Sequence, residues 1–331
     1  MRAAAYAGKG GLEVIEFDEM PAPSIGPDDA LVAVAYAGLN RADVLERMGR
    51  YPSARAERPV PGLEFSGVVR TVGANVKNVA PGDRVCGLVA SGAHAELVAS
   101  DALTLSLVPP NVSLRDAAAL PEAFQTAYDA LYTRARFTAG KSVLVHAVGS
   151  SVGLAGIALA KTGGARLVIG TSRTPDKLER AKAHGLDVAL PLDADWPAAV
   201  RAASGGVDCI LDFLGSPALD QNVSVLAVGG YIVSIGTLGG AQGSFDLGAL
   251  MGKRGTIVGT VLRTRPILEK RELAAAFSAH VMPAVAAGAL RAEIDRVVPL
   301  ERLADAHAAM EANANFGKIL LEVDHNLDGP T

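Results

Sequence analysis

The sequence predicts an α/β protein in two parts, a β-rich N-terminal domain and a doubly wound parallel sheet. Three observations predict it. Residues 1 to 120 hold short apolar or alternating runs broken by Gly, Pro and Asp. From Pro121 onward, strand-like and helix-like runs alternate, the pattern of consecutive βαβ units. At the head of that alternation, Val143–Gly156 reads as a buried strand, a turn of small residues and an Ala-rich helix.

In the first part Arg2–Tyr6, Leu12–Phe17, Ala30–Ala37, Gly67–Val72, Arg84–Leu88 and His94–Ala99 read as strands. Many short strands with frequent glycines predict a strongly bent sheet or barrel. One helix interrupts them, Arg41–Met48, with Asn40 as its cap and Gly49 after it. In the second part a helix begins at Pro121 and runs to Tyr132. Strands are expected at Ser142–His146, Arg166–Gly170, Val188–Leu190, Val207–Phe213, Tyr231–Ile235 and Thr256–Val261. Helices are expected at Gly153–Thr162, Pro175–His184, Trp196–Ala203 and Pro217–Leu226. A long helix, Pro266–Ala287, should end at Gly288. A strand, a helix and a final strand (Ile294–Val298, Leu300–Ala312, Lys318–Val323) then return to the first domain, and the tail from Asp324 should fray.

Composition narrows the function. At 331 residues the chain has room for two domains. A net charge of -4 gives no reason to expect nucleic acid or an anionic membrane surface. Two cysteines, Cys86 and Cys209, are too few for a disulfide framework or a four-Cys zinc site, and a cytoplasmic setting is the default. No apolar run reaches membrane-spanning length without Gly or charge.

Small residues at a strand-to-helix turn let the backbone approach a phosphate, and the new helix favours its charge. The turn reads Ala147-Val-Gly149-Ser-Ser151-Val152-Gly153, so it departs from G-x-G-x-x-G. Gly149, Ser151, Val152 and Gly153 are the candidate phosphate contacts, and simple packing of a helix start is the competing reading. About twenty residues further on, at the end of the second strand, a residue contacting the adenosine ribose is expected. NAD-selective sites place an acid there. This chain places Ser172, Arg173 and, one helical turn on, Lys177, a set suited to a 2′-phosphate and hence to NADPH. Their alternative is two surface cations and a helix cap. Two later strands end in Gly215-Ser216 and Gly236-Thr-Leu238, loops placed to wall the nicotinamide half.

The order of parts resembles the medium-chain dehydrogenase/reductase superfamily. Specific segments resemble its zinc-independent quinone oxidoreductase branch: Gly38-Leu-Asn-Arg-Ala-Asp43, Pro61-Gly-Leu-Glu-Phe-Ser-Gly67, Pro81-Gly-Asp-Arg-Val85, Ala119-Leu-Pro-Glu-Ala-Phe-Gln-Thr-Ala-Tyr128 and Met310-Glu-Ala-Asn-Ala-Asn-Phe-Gly-Lys-Ile319. The resemblance spans nearly the whole chain. It implies a GroES-like catalytic domain over 1–120, a Rossmann NADPH-binding domain over 121–264, and a return to the catalytic domain over 265–331. It implies Asn40, Asp43 and Tyr51 around nicotinamide and substrate, with Tyr51, Thr126, Ser216, Leu238, Leu262 and Asn315 lining the cofactor. As bland alternatives, Asn40 is a helix cap, Asp43 an exposed helix acid and Tyr51 a half-buried loop tyrosine.

Zinc members of the superfamily carry a Cys at the position of Asn40 and a His beside Glu64; here Leu63 stands in the place of that His. No metal is therefore expected. Without a Lewis acid alcohol oxidation is poorly supported, whereas a quinone or other small electron-poor substrate needs only a positioned hydride donor and modest help for its oxygen. The reading is an NADPH-dependent quinone reductase. The alternatives are a reductase of activated alkenes (a 2-enal or enoyl thioester) and a non-catalytic NADPH-binding redox sensor. The apolar strand Thr256–Val261, near a sheet edge, predicts a homodimer.

Overall fold

The computed structural model describes residues 1–51, 60–193 and 195–328. The chain divides into two compact units, Met1–Gln125 with Arg263–Thr331, and Thr126–Leu262. The division falls inside the helix that begins at Pro121, five residues later than the sequence places it.

In chain order the first unit opens with β1 (Arg2–Tyr6), β2 (Ile15–Glu19), β3 (Asp29–Leu39) and α1 (Arg41–Arg47). Next come β4 (Glu64–Val72), β5 (Arg84–Leu88), β6 (Leu97–Asp101), β7 (Leu105–Leu107), α2 (Leu114–Ala118) and α3 (Pro121–Tyr128). The second unit holds β8 (Ser142–Val145), α4 (Ser151–Thr162), β9 (Leu167–Ser172), α5 (Pro175–Ala181), β10 (Val188–Pro191) and α6 (Trp196–Ser204). It continues with β11 (Val207–Asp212), α7 (Ser216–Val225), β12 (Leu226–Ser234), α8 (Leu247–Lys253) and β13 (Thr256–Gly259). The first unit resumes with α9 (Ile267–His280), α10 (Met282–Ala286), β14 (Ile294–Pro299), α11 (Leu303–Glu311) and β15 (Lys318–Glu322).

The first unit is organised on β3. This strand pairs with β4 over most of its length, with β6 near its start and with β15 at its end. Its pairing with β4 slips at Leu31/Val32 and at Val34/Tyr36. Such bulges bend a strand, and they let one strand serve different neighbours along its length. Alternate residues Val32 and Val34, with Phe65, Val85, Leu303 and Ile319, form the apolar core. The C-terminal strand β15 runs antiparallel to β3, with Ile319 opposite Leu39.

The second unit is a parallel sheet in the order β10-β9-β8-β11-β12-β13. Its central strands read as continuous apolar runs because helices cover both faces. Leu144, Ile169, Ile210 and Ile232 meet Trp196, Val200 and Val223 in its core. β13 is an outermost strand of this sheet.

Several boundaries moved for identifiable reasons. The helix expected from Pro266 to Ala287 is two helices, α9 and α10, separated at Val281. Pro283 has no N–H to donate and its ring crowds the carbonyl of Ala279. The helix from Pro121 continues past Tyr128 as a π-helical turn, Asp129–Arg134. Helix α8 went unread from the sequence; Asp246 Oδ1 caps it by accepting from Ala249 N at 2.9 Å. Its apolar residues Leu247 and Met251 face solvent while Ala249 and Leu250 pack on the core, so its apolar residues do not form a single core-facing stripe. The tail does not fray through Asp328, whose Oδ1 accepts from Leu114 N at 2.6 Å and from Arg84 Nη2 at 3.1 Å. Residues 329–331 of that tail lie outside the described residues. Among the described residues no helix is long and apolar enough to cross a membrane.

Gly67 marks the tightest approach between β4 and β3, since a Cβ there would lie 2.0 Å from Ala33 O. Backbone atoms cannot move aside as a side chain can. Gly67→Ala should therefore cost about 3 kcal/mol in urea unfolding, at the upper end of overpacking effects. A loss below about 0.5 kcal/mol, the range of harmless surface changes, would contradict this packing.

Candidate functional site

The turn after β8 in the second unit forms because the strand ends among small residues. Ala147 takes a left-handed φ of 50°, a strained place for a residue with a Cβ, and the chain reverses there into α4. Ser150 is the N-cap: its Oγ accepts from Gly153 N at 3.0 Å and donates to Ala147 O at 2.8 Å. The cap starts the helix at Ser151 rather than at Gly153. Gly153 cannot carry a side chain, because a Cβ would lie 2.7 Å from Ala147 O. The first-turn N–H groups of Ser151 and Val152 have no acceptor within the helix and are available to an anion.

The second strand brings its cations to this turn. A Cβ on Gly149 would meet Lys177 Cδ at 2.5 Å, so the aliphatic stem of Lys177 lies across the turn. That explains the glycine at this position better than phosphate approach alone. Ser172, buried at the end of β9, accepts from Thr174 N at 3.1 Å. Its bond shapes the loop, while Thr174 occupies the N-cap of α5. The hydroxyl proton of Ser172 is not used in that bond. Arg173 is exposed beside it. Ser172, Arg173, Lys177 and the turn thus gather at one end of the sheet.

Behind the turn, His146 bridges two elements. Its ring bonds Thr171 Oγ1 at 2.7 Å and Asn222 Oδ1 at 2.8 Å, and it packs edge-on against Trp196. Burial lowers its pKa to about 4, so the ring is neutral. Asn222 Oδ1 only accepts, which assigns Nε2–H as donor and Nδ1 as acceptor from Thr171. From the sequence this was one of six unremarkable histidines.

The two later loops are tied to each other. Ser216 Oγ donates to Gln242 O at 2.6 Å, and Ser216 N donates to Gly240 O at 3.0 Å. Leu238 N donates to Phe213 O at 3.0 Å. Gly215 has a φ of 81° and packs against Gly240 and Thr237, while Gly236 sits against Phe213. Asp212 holds the first loop by accepting from Leu214 N at 3.0 Å and Gly215 N at 3.2 Å, and burial raises its pKa to about 6. Ser216 therefore shapes the loop. Leu238 is 58% exposed, Leu262 is half-buried, and Thr126 is buried.

In the first unit Asn40 is the N-cap residue of α1, yet its side chain points to a buried charge cluster. Asn40 Nδ2 donates to Glu64 Oε1 at 2.9 Å, and Lys318 Nζ donates to Asn40 Oδ1 at 2.7 Å. Lys318 Nζ also donates to Glu64 Oε1 at 2.5 Å, with Glu122 Oε2 at 3.8 Å. Glu64 Oε2 accepts from Glu122 N at 2.8 Å. Both Lys318 and Glu64 side chains are fully buried. Gly38 makes room for this carboxylate, since a Cβ there would fall 2.2 Å from Glu64 Oε1.

Asp43 is buried, not the exposed helix acid of the alternative reading. Its Oδ2 accepts from Asn40 N at 2.8 Å, while its Oδ1 has no partner among the described residues. Burial raises its pKa to about 7 against the pull of that backbone bond. Tyr51 is half-buried, with the Arg263 guanidinium 5.6 Å from its ring centre. Arg263 is in turn clamped by Glu46 through two bonds, Nη1 to Oε2 at 2.6 Å and Nη2 to Oε1 at 3.0 Å. Burial raises the pKa of the Tyr51 hydroxyl and keeps it protonated. Asn315 Nδ2 donates to Gly317 O at 2.7 Å, which shapes the turn before Lys318. Asn40, Asp43, Tyr51 and Asn315 thus belong to the first unit, and the remaining candidates to the second.

Sequence reasoning missed Lys318, Glu46 and Arg263 as partners of the candidates, and treated Glu64 only as a landmark. The only signal was that Lys318 and Glu64 are charges at the heads of apolar runs, and charges are almost never fully buried unless paired.

Two family models match the chain: "Alcohol dehydrogenase GroES-like domain" over residues 26–110 and "Zinc-binding dehydrogenase" over residues 151–279. Quinone oxidoreductase-like protein 2 of Mus musculus is 31% identical over 315 residues, 93% of this chain and 89% of that protein. A solved NAD-dependent alcohol dehydrogenase is 31% identical with a TM-score of 0.88, covering 98% of this chain and all of the other. The Escherichia coli quinone oxidoreductase, solved in complex with NADPH, is 27% identical with a TM-score of 0.86 at 98% and 100% coverage. The zinc named in one family description does not suit the donors at Asn40 and Glu64. The Lys318 ammonium, already seated on the amide oxygen and the carboxylate, repels a divalent cation. Among the described residues no group of three His, Cys, Asp or Glu side chains could hold a metal ion.

Asp43 generates a pH test. Its folded pKa, about 7, lies above the unfolded value near 3.9. Between those values the folded chain binds a proton that the unfolded chain has released. The resulting stabilisation is complete below about pH 4 and is lost as pH rises toward 7. Asp43→Asn removes it. The stability difference between wild type and variant should therefore shrink by up to about 4 kcal/mol from pH 4 to pH 7.5 in urea titrations. A pH-independent difference would mean that Asp43 stays ionised.

Proposed function

Because the chain belongs to the medium-chain dehydrogenase/reductase superfamily, in its quinone oxidoreductase branch, we propose that this oxidoreductase is an NADPH-dependent, zinc-independent quinone reductase. When bound, NADPH supplies a hydride to an electron-poor acceptor. The observation that carries the reading is the Lys318–Glu64–Asn40 cluster, which replaces metal donors by a neutral amide held among charges.

On this reading the cofactor is held by the second unit's turn. The Ser151 and Val152 N–H groups and the α4 dipole receive the pyrophosphate, at the turn that holds Gly149 and Gly153. Ser172, Arg173 and Lys177 take the 2′-phosphate: a hydroxyl donor, a guanidinium fork and an ammonium. In the same unit the Gly215–Ser216 and Gly236–Leu238 loops, with Thr126 and Leu262, line the rest. Asn40 offers an amide proton to the acceptor oxygen and stabilises the negative charge that develops there. A reduced quinone is a stabilised phenolate-type anion, so water can supply its protons.

A second acceptor class, activated alkenes such as 2-enals or enoyl thioesters, is favoured by Tyr51. Its hydroxyl stays protonated, as a proton donor to a carbanion would need, and the Arg263 guanidinium lies over its ring. Asp43 supports Asn40 through the backbone of the cap.

The chain is further proposed to act in the cytoplasm as a homodimer. Edge strand β13 offers unpaired backbone groups that a second copy would cover by two-fold symmetry, and a monomeric mass in light scattering would refute this. The acceptor is tested by following loss of NADPH absorbance with ortho- and para-quinones, 2-enals and crotonyl thioester. Fast turnover of quinones is expected; turnover of the alkenes alone would install the second reading, and tight NADPH binding without turnover a redox sensor. Arg173→Ala should raise KM for NADPH at least about tenfold, the equivalent of one lost charged hydrogen bond, and leave KM for NADH nearly unchanged. An equal effect on both cofactors would refute the 2′-phosphate assignment.

A further inference from the structure

We infer that Lys318 is a positioning residue that commits Asn40 to act as a hydrogen-bond donor; this rests on the reading that Asn40 serves the acceptor oxygen. An Asn amide carries an acceptor and two donor protons, and a free amide can present either end to a carbonyl. Here one end is fixed. Lys318 Nζ, which can only donate, lies 2.7 Å from Asn40 Oδ1. Flipping the amide would set its NH2 against an ammonium, donor against donor. Glu64 fixes the other end, since its carboxylate only accepts and takes one Nδ2 proton at 2.9 Å. The remaining Nδ2 proton is the polar group that Asn40 has left to offer, and Asn40 is itself 5% exposed.

The cluster is built for this arrangement. Lys318 starts β15, Glu64 starts β4, and Asn40 follows the end of β3, so the paired strands of one sheet bring the three together. Glu64 Oε2 is occupied by Glu122 N, which leaves Oε1 to receive both Lys318 and Asn40. Asn40 N is held by Asp43, so backbone and side chain of the donor are fixed separately. The ammonium donates to the amide oxygen and polarises the amide toward donation. Lys318 touches neither cofactor nor acceptor on this account, and it acts through Asn40.

The test compares Lys318→Met, Asn40→Ala, the double variant of these two, and Glu64→Gln/Lys318→Met, which removes both buried charges together if Lys318→Met alone does not fold. The first readout needs no substrate. In protein labelled with 15N at Asn side chains, the Asn40 Nδ2 protons should exchange slowly in wild type and at least about tenfold faster once Lys318 is lost. The second readout is kcat with para-benzoquinone and NADPH. Asn40→Ala should lower kcat by about a hundredfold, as loss of an oxyanion donor does. Removing Lys318 should lower kcat with little change in KM, and should add nothing in the Asn40→Ala background. Unchanged amide exchange, or an additive loss in the double variant, would overturn the inference. So would a lower melting temperature with kcat preserved, since that is what a purely structural lysine gives. If Asn40→Ala itself leaves kcat intact, the donor reading of Asn40 fails, while the amide exchange still reports whether Lys318 fixes it.

Discussion

A buried ammonium must be paired, and much of the first unit follows from how Lys318 meets that demand. Taking it out of water costs on the order of several kcal/mol, and only close partners recover it. Glu64 and Asn40 are those partners, with Glu122 as a more distant counter-charge. Satisfying it requires the start of β15, the start of β4 and the end of β3 to lie side by side, which the antiparallel registers provide. It requires a glycine at Gly38, because the Glu64 carboxylate occupies the volume a side chain would need. At the adjoining helix end Asp43, at the third position of the helix, accepts Asn40 N.

The second unit answers a different constraint. A parallel sheet leaves its ligand groups in loops beyond the strand ends, where backbone N–H groups lack partners until a helix cap or a ligand provides them. Each loop here is stabilised internally. Ser150 caps α4, Ser172 shapes the β9 loop, Asp212 gathers two loop N–H groups, and Ser216 ties one loop to the next. The hydroxyls that a motif search marks as ligand contacts are thus partly scaffolding. What they hold in place is backbone: the start of α4 with the N–H groups of Ser151 and Val152, and the loop that carries Arg173.

Much of this was legible in one sequence. The alternation of apolar runs after Pro121 gave the parallel sheet, because a strand covered on both faces must be apolar throughout. The turn at Ala147–Gly153 and the cations after β9 were readable because they lie within one βαβ unit, where sequence distance fixes spatial distance. The break at Val281 was less legible: the pattern favoured one long helix, and a single proline decided otherwise. Helix α8 was invisible to periodicity because Leu247 and Met251 are exposed. Asp43 was ambiguous between an exposed acid and a site residue, and only its burial separates them.

The sequence by itself determined the fold class, the family and the strand–turn–helix at Ala147–Gly153, since all of these rest on local patterns or on segments read whole. Tertiary structure decided what Asn40, Asp43 and Tyr51 have beside them. Lys318 lies 278 residues from Asn40, and Arg263 lies 217 residues from Glu46. Local patterning carries no information about such pairs. Their proximity is set by strand register in the first and by the C-terminal return in the second. Hydrogen bonds and burial depend on distance in space, so the chemistry of these side chains became readable only once the chain had folded.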